Sequence, residues 1–186
     1  MRAVVFSVSI MCLYGAVVAH AQDPPANPFK PRSRARADAR PGTVTMSDGE
    51  EYSGRIHVTR DKRLRIYDTQ AKLYRDIPLA AVKSVRIGVE KEGMEKEWRW
   101  QEGGSNVKVY TGKAYPWREY VTTITLTNDQ EITGHLKATP VYVACEGKTK
   151  KLVIHQKNKG VLGQTLSDLV YIKRIVFGEP GTEAKQ

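Results

Sequence analysis

From Thr43 onward apolar and polar residues alternate. Val44 and Met46 precede Ser47-Asp48-Gly49; Tyr52, Ile56 and Val58 continue the same parity beyond it, while Glu51, Ser53, Arg55 and His57 are polar. Period-two alternation on both sides of a turn predicts a β-hairpin with one buried face. Gly54 stands on the apolar parity, where glycine marks a bend or a close backbone approach. Turns at Arg60-Asp61-Lys62 and Asp68-Thr69-Gln70 bound a third strand with Leu64 and Ile66 inward. A fourth strand is predicted over Leu73–Ile77, ended by Pro78. A tight turn follows at 79–82, then a fifth strand at 83–89 that buries Val85 and Ile87.

The pattern returns 80 positions later. Val44 to Ile56 answers Ile124 to Leu136, with Gly134 in the place of Gly54 and Asp129 in that of Gly49. Ile132, Leu136 and Ala138 carry the buried parity of the second copy. Lys150 to Ile154 answers Lys62 to Ile66 at an offset of 88, and Ile172 to Ile175 answers Val82 to Val85 at an offset of 90. Residues added around 139–144 read as a lengthened hairpin. The alternation predicts an all-β protein of two small five-stranded units, 42–89 and 121–178.

The segment 90–120 between the copies holds all three tryptophans, Trp98, Trp100 and Trp117, with Tyr110, Tyr115 and Tyr120 and interleaved charges. Trp98 and Trp100 share one face of a strand. Two readings stay open: the rings pack the two units together, or they form an exposed aromatic and basic platform. A connector of this length and composition is not a plain spacer.

The chain begins with Arg2, an apolar run from 3 to 18 and Ala19-His20-Ala21, which predicts a secretory signal cut after Ala21. The small residue expected before a lipid-modified cysteine is missing ahead of Cys12. Cleavage would leave Cys145 alone, so no internal disulfide is expected, and its alternation with Val141 and Val143 predicts a buried strand residue. Residues 22–41, rich in proline and carrying Arg32, Arg34 and Arg36, read as a disordered basic tether, and 179–186 as a disordered tail. The net charge of +10 favours anionic partners.

The sequence Val-x-Met-x-Asp-Gly, then Tyr-x-Gly-x-Ile and Leu-x-Ile, resembles the Sm-like small β-barrel family over 43–89 and 121–178. That resemblance implies five bent antiparallel strands, and a family whose members often form rings and commonly bind RNA. Asp61 stands one residue late for the family's RNA-contacting aspartate, and Leu64-Arg65 occupies the place of its asparagine. The resemblance therefore implies the fold rather than the RNA pocket.

Chemistry-bearing motifs are sparse. His57 and His135 fall on the solvent-facing parity, no histidine pair has metal-ligand spacing, and no glycine-rich loop leads into a helix. No nucleophile elbow is present. The expectation is a periplasmic or extracellular, non-enzymatic binding or scaffold protein of the bacterial cell envelope, with no cofactor, no metal and no membrane segment after cleavage. Its partner would be an envelope protein or an anionic polymer, and oligomers are allowed. The alternative is a polyanion or single-stranded nucleic-acid binder, which export disfavours. Candidate contacts are Trp98, Trp100, Tyr115, Trp117, Arg118 and Tyr120, with Arg32, Arg34 and Arg36 in the tether.

Overall fold

The computed structural model describes residues 36–104, 106–145 and 147–178. The expected signal peptide, Arg32, Arg34 and the tail from 179 lie outside the described residues. Among those described the protein is all-β, apart from two single-turn 3-10 helices at Leu79–Ala81 and Leu166–Asp168. No described helix is long and apolar enough to cross a membrane.

The first copy supplies β1 (Arg40–Met46), β2 (Glu51–Val58), β3 (Leu64–Asp68), β4 (Leu73–Ile77) and β5 (Val82–Trp100). The second supplies β6 (Lys108–Leu126), β7 (Glu131–Leu136), β8 (Thr139–Cys145), β9 (Lys148–Ile154), the short β10 (Lys157–Lys159) and β11 (Ile172–Phe177). β1 begins inside the stretch expected to be a tether. Arg40 is the reason: its guanidinium donates to the carbonyl of Leu79 at 2.7 Å and lies 4.8 Å over the Phe177 ring.

The two leading hairpins repeat each other in detail. Met46 N donates to Glu50 O at 2.8 Å, and Leu126 N to Gln130 O at 2.8 Å. Gly49 and Asp129 both take positive φ, 92° and 62°. Asp48 and Asn128 each accept the amide two residues on. Thr43 meets Ser53 at 2.9 Å, and Thr123 meets Thr133 at 3.1 Å. Asparagine and aspartate tolerate the left-handed region better than other side chains, so Asp129 can replace the glycine.

The pairing beyond the hairpins differs from expectation. Two tandem barrels, each closed within its own copy, are not confirmed. The strands form one curled antiparallel sheet in the order β4-β3-β7-β6-β5-β11-β1-β2-β8-β9, with β10 added to β6. β2 pairs with β8 of the second copy (Ile56↔Val143), and β7 pairs with β3 of the first (Ile66↔Leu136). β1 pairs with β11, and β6 with β5. The copies have thus exchanged partners: each hairpin is flanked by strands of the other copy or of the connector.

The glycines explain this pairing. A Cβ on Gly54 would stand 2.3 Å from the carbonyl oxygen of Ala144 in β8, and one on Gly134 would stand 1.8 Å from that of Tyr67 in β3. Each repeated glycine is therefore the point where a hairpin crosses the other copy's strand too closely for a side chain. The pairing also corrects the repeat. By sheet position β8 and β9 are the counterparts of β3 and β4, so residues 139–145 are a strand of their own rather than a hairpin extension. The likeness of 150–154 to 62–66 is one of pattern only.

One hydrophobic cluster runs through both copies, with Val44, Ile56, Ile66, Val82 and Ile124 fully buried beside Val85, Ile132, Leu136, Val143 and Ile175. Burying each such side chain contributes about 1.5–3 kcal/mol. Two inward expectations fail. Ala138 is exposed in the short link between β7 and β8. Cys145 is exposed because β8 ends there, beside Gly54, which has no side chain to cover it.

Candidate functional site

The aromatic segment is neither a joint nor a loop. Its two arms continue β5 and β6 past the sheet as an antiparallel ribbon, paired from Val82↔Leu126 out to Trp100↔Lys108. β11 accompanies β5 only over Ser84–Arg86, and β10 accompanies β6 only over Trp117–Glu119. Gly160 N and Gly163 N still donate to the carbonyls of Pro116 and Ala114, so the ribbon is two strands wide only beyond Lys96↔Ala114, and from there to Trp100 it projects roughly 13 Å. The continuous alternation of β5 hides this in sequence, because the end of a sheet leaves no mark on a strand that runs on.

At the tip, Gln101 N donates to Val107 O at 2.9 Å, and Gly103 and Gly104 take positive φ. Trp98 and Trp100 meet edge to face at 4.9 Å. The Lys108 ammonium stands 4.1 Å from the Trp98 ring centroid and 5.9 Å from that of Trp100. Tyr110 lies across the ribbon from Trp98. These rings are open to water: Trp98 is 36 % exposed, Trp100 53 % and Tyr110 61 %. A register shift between Lys96 and Trp98, with Gly112 at positive φ on the facing strand, sets the tip rings off from the rest of the ribbon.

The base is different in kind. Trp117 is half-buried over Gly93, and a Cβ on that glycine would stand 3.3 Å from the indole nitrogen. β10 clamps the same face. Lys157 lies 4.7 Å over the Trp117 ring and pairs with Glu119 at 2.7 Å. Lys159 lies 5.0 Å over the Tyr115 ring and pairs with Glu95 at 3.0 Å. Hydrogen bonds from Lys159 and Tyr115 hold the Glu95 carboxyl below its ordinary range, and Lys157 does the same for Glu119.

Arg118 is used structurally. It donates to Glu92 at 2.7 Å and to the Leu169 carbonyl at 2.9 Å, fixing the ribbon to the 3-10 turn before β11. Tyr120 is buried against Tyr171 at 4.9 Å, and burial pushes its hydroxyl up in pKa. Arg36 is spent on Asp38, with Nε at 2.8 Å from the carboxylate. The six ribbon candidates therefore divide: Trp98 and Trp100 are available at the tip, while Tyr115, Trp117, Arg118 and Tyr120 build its root.

Among the described residues no group of three histidines, cysteines or acids is placed to hold a metal ion. His57 stacks on Tyr142 at 5.2 Å and His155 is half-buried, and desolvation lowers the pKa of both imidazoles. No protein family, characterised protein or solved structure matches this chain.

Proposed function

We propose that this chain is an exported, non-enzymatic binding or scaffold protein of the bacterial cell envelope, and that the ribbon is its contact element. The observation behind this reading is the ordered, solvent-open cluster of Trp98, Trp100, Tyr110 and Lys108 at the end of a projecting arm. A two-stranded hairpin is marginal on its own. This one is rooted by β10, Arg118 and the Trp117–Gly93 contact, which anchor the base of the arm below the rings. Large rigid aromatics contribute most at interface centres, because they bury much area at little entropic cost. Each five-strand set, β4-β3-β7-β6-β5 and β11-β1-β2-β8-β9, is read as a small barrel of the Sm-like kind serving as platform for the arm.

A photo-crosslinking amino acid in place of Tyr110, activated in cells, tests the reading. A discrete adduct is expected, and it should disappear when Trp98→Ala is added. Adducts that are absent, or unchanged by that substitution, would overturn the role of the tip.

A further inference from the structure

A second surface, away from the ribbon tip, arises only because the copies exchange strands. β3 and β4 of the first copy lie beside β7 of the second. This sets Tyr74, Tyr67 and His135 in one row across the outer face, through the pairs Tyr67↔Tyr74 and Tyr67↔His135. Lys137 N donates to Arg65 O at 2.8 Å, which places Lys137 and Arg65 in the adjoining row. Three shallow clefts meet on this face, and Lys137 lines all of them. Together they make one open groove that crosses strands from β4 to β6, about 14 Å at the usual strand spacing.

Its chemistry is mixed. Tyr74 is 60 % exposed, braced edge-on by Tyr67 at 5.2 Å and capped on one side by Arg65 at 5.1 Å. Lys137 is exposed and makes no ion pair among the described residues. Carboxylates are interleaved: Asp76 lies 4.0 Å from Arg65, Glu90 is 3.6 Å from His135, and Glu119 pairs with Lys157. A nucleic-acid strand, with a phosphate at every residue, would set charges against these acids. A sugar chain uses them, because carboxylates accept hydrogen bonds from hydroxyls. Its ring C–H faces stack on tyrosine, and sparse acidic groups need only a few cations such as Lys137.

We propose that this groove binds an acidic polysaccharide, a chain of uronic-acid-bearing sugars laid across β4, β3 and β7. Tyr74 carries a sugar ring, Lys137 and Arg65 meet the carboxylate, and Asp76 and Glu90 take hydroxyls. The site is independent of the ribbon-tip reading.

The test is calorimetric titration of the full chain with hyaluronan oligosaccharides, which carry a carboxylate on alternate sugars, neutral dextran oligosaccharides and single-stranded oligo-dT. Hyaluronan should bind, and dextran should bind at least about tenfold more weakly. Tyr74→Ala and Lys137→Ala should each weaken hyaluronan about five- to tenfold with an unchanged melting temperature, Tyr74→Trp should restore binding, and Trp98→Ala should have no effect. No hyaluronan binding, equal binding of dextran, tighter binding of oligo-dT, or a Tyr74→Ala variant that binds as the parent would each overturn the assignment.

Discussion

The β1–β2 and β6–β7 hairpins match bond for bond, and β11 and β5 beside them match in sequence, yet the strands on their other sides, β8 and β3, do not. Each hairpin is written locally, in a parity, a turn and one glycine. Its outer neighbours are chosen by contacts with the other copy: β8 for β2, β3 for β7. Local likeness between copies therefore says how a hairpin is built and nothing about what it pairs with. The exchange fixes the partner, and the glycines are its sharpest trace.

The most damaging way to break this likeness is to fill a crossing. Gly134→Ala should cost about 3 kcal/mol or more, and Gly54→Ala about 2 kcal/mol, both read from urea denaturation. Gly134 is the more sensitive because its Cβ would stand deeper inside the neighbouring carbonyl, at 1.8 Å against 2.3 Å. Gly49→Ala, in open space at positive φ, should cost only about 1 kcal/mol. Equal losses at all three sites would contradict the close crossings.

Equivalent core positions come next. Ile124→Ala should cost about 3 kcal/mol and Val44→Ala about 2 kcal/mol. Both should shift one shared urea transition, because both side chains lie in the one cluster. Two transitions that move independently would mean that the copies fold apart.

Trp117→Ala should cost about 1.5 kcal/mol through lost packing on Gly93 and Lys157, whereas Trp98→Ala at the tip should stay within about 0.5 kcal/mol. A reversed order would make the tip a packing element and remove the basis of the proposed contact role.

The smallest effect is on pH dependence. His57 and His155 have lowered pKa values in the folded state, so the unfolded chain binds more protons. The stabilisation is present above the unfolded value, ~6.5, and is lost as pH falls through the folded values. The urea midpoint should therefore drop between about pH 7 and pH 5, and less so in His155→Gln. Asp68 acts lower on the scale. The amides of Ala71 and Gln70, and then Arg75, lower its pKa, so its contribution disappears only as pH falls below the ordinary carboxylate range. A midpoint that is flat across both windows would remove these groups from the account.

What could be read from the chain follows the same division. Alternation placed Val44, Ile56, Leu64, Ile66, Val85 and Ile87 inside, and the Asp-Gly and Asn-Asp turns marked both hairpins. These signals lie within a few residues of each other. The exchange involves residues far apart, and a period of two tells which face is buried without telling which strand stands alongside. The strand at 139–145 was hidden because Lys150 to Ile154 mimics Lys62 to Ile66 in pattern. Cys145 was misplaced because parity does not register where its own strand ends. The six ribbon candidates looked alike in sequence. Trp117 and Arg118 are at the root because of β10 and the Leu169 carbonyl, contacts made by residues some forty to fifty positions away.

Pairing β1 with β11 joins the first described strand to the last, with Gly42 facing Phe177. A chain delivered from its N-terminus cannot flank its opening hairpin until its closing strand arrives. Contacts of such long range make assembly slow compared with neighbour-to-neighbour zippering. Meanwhile the early segments have unpaired edges that invite sticking to other chains.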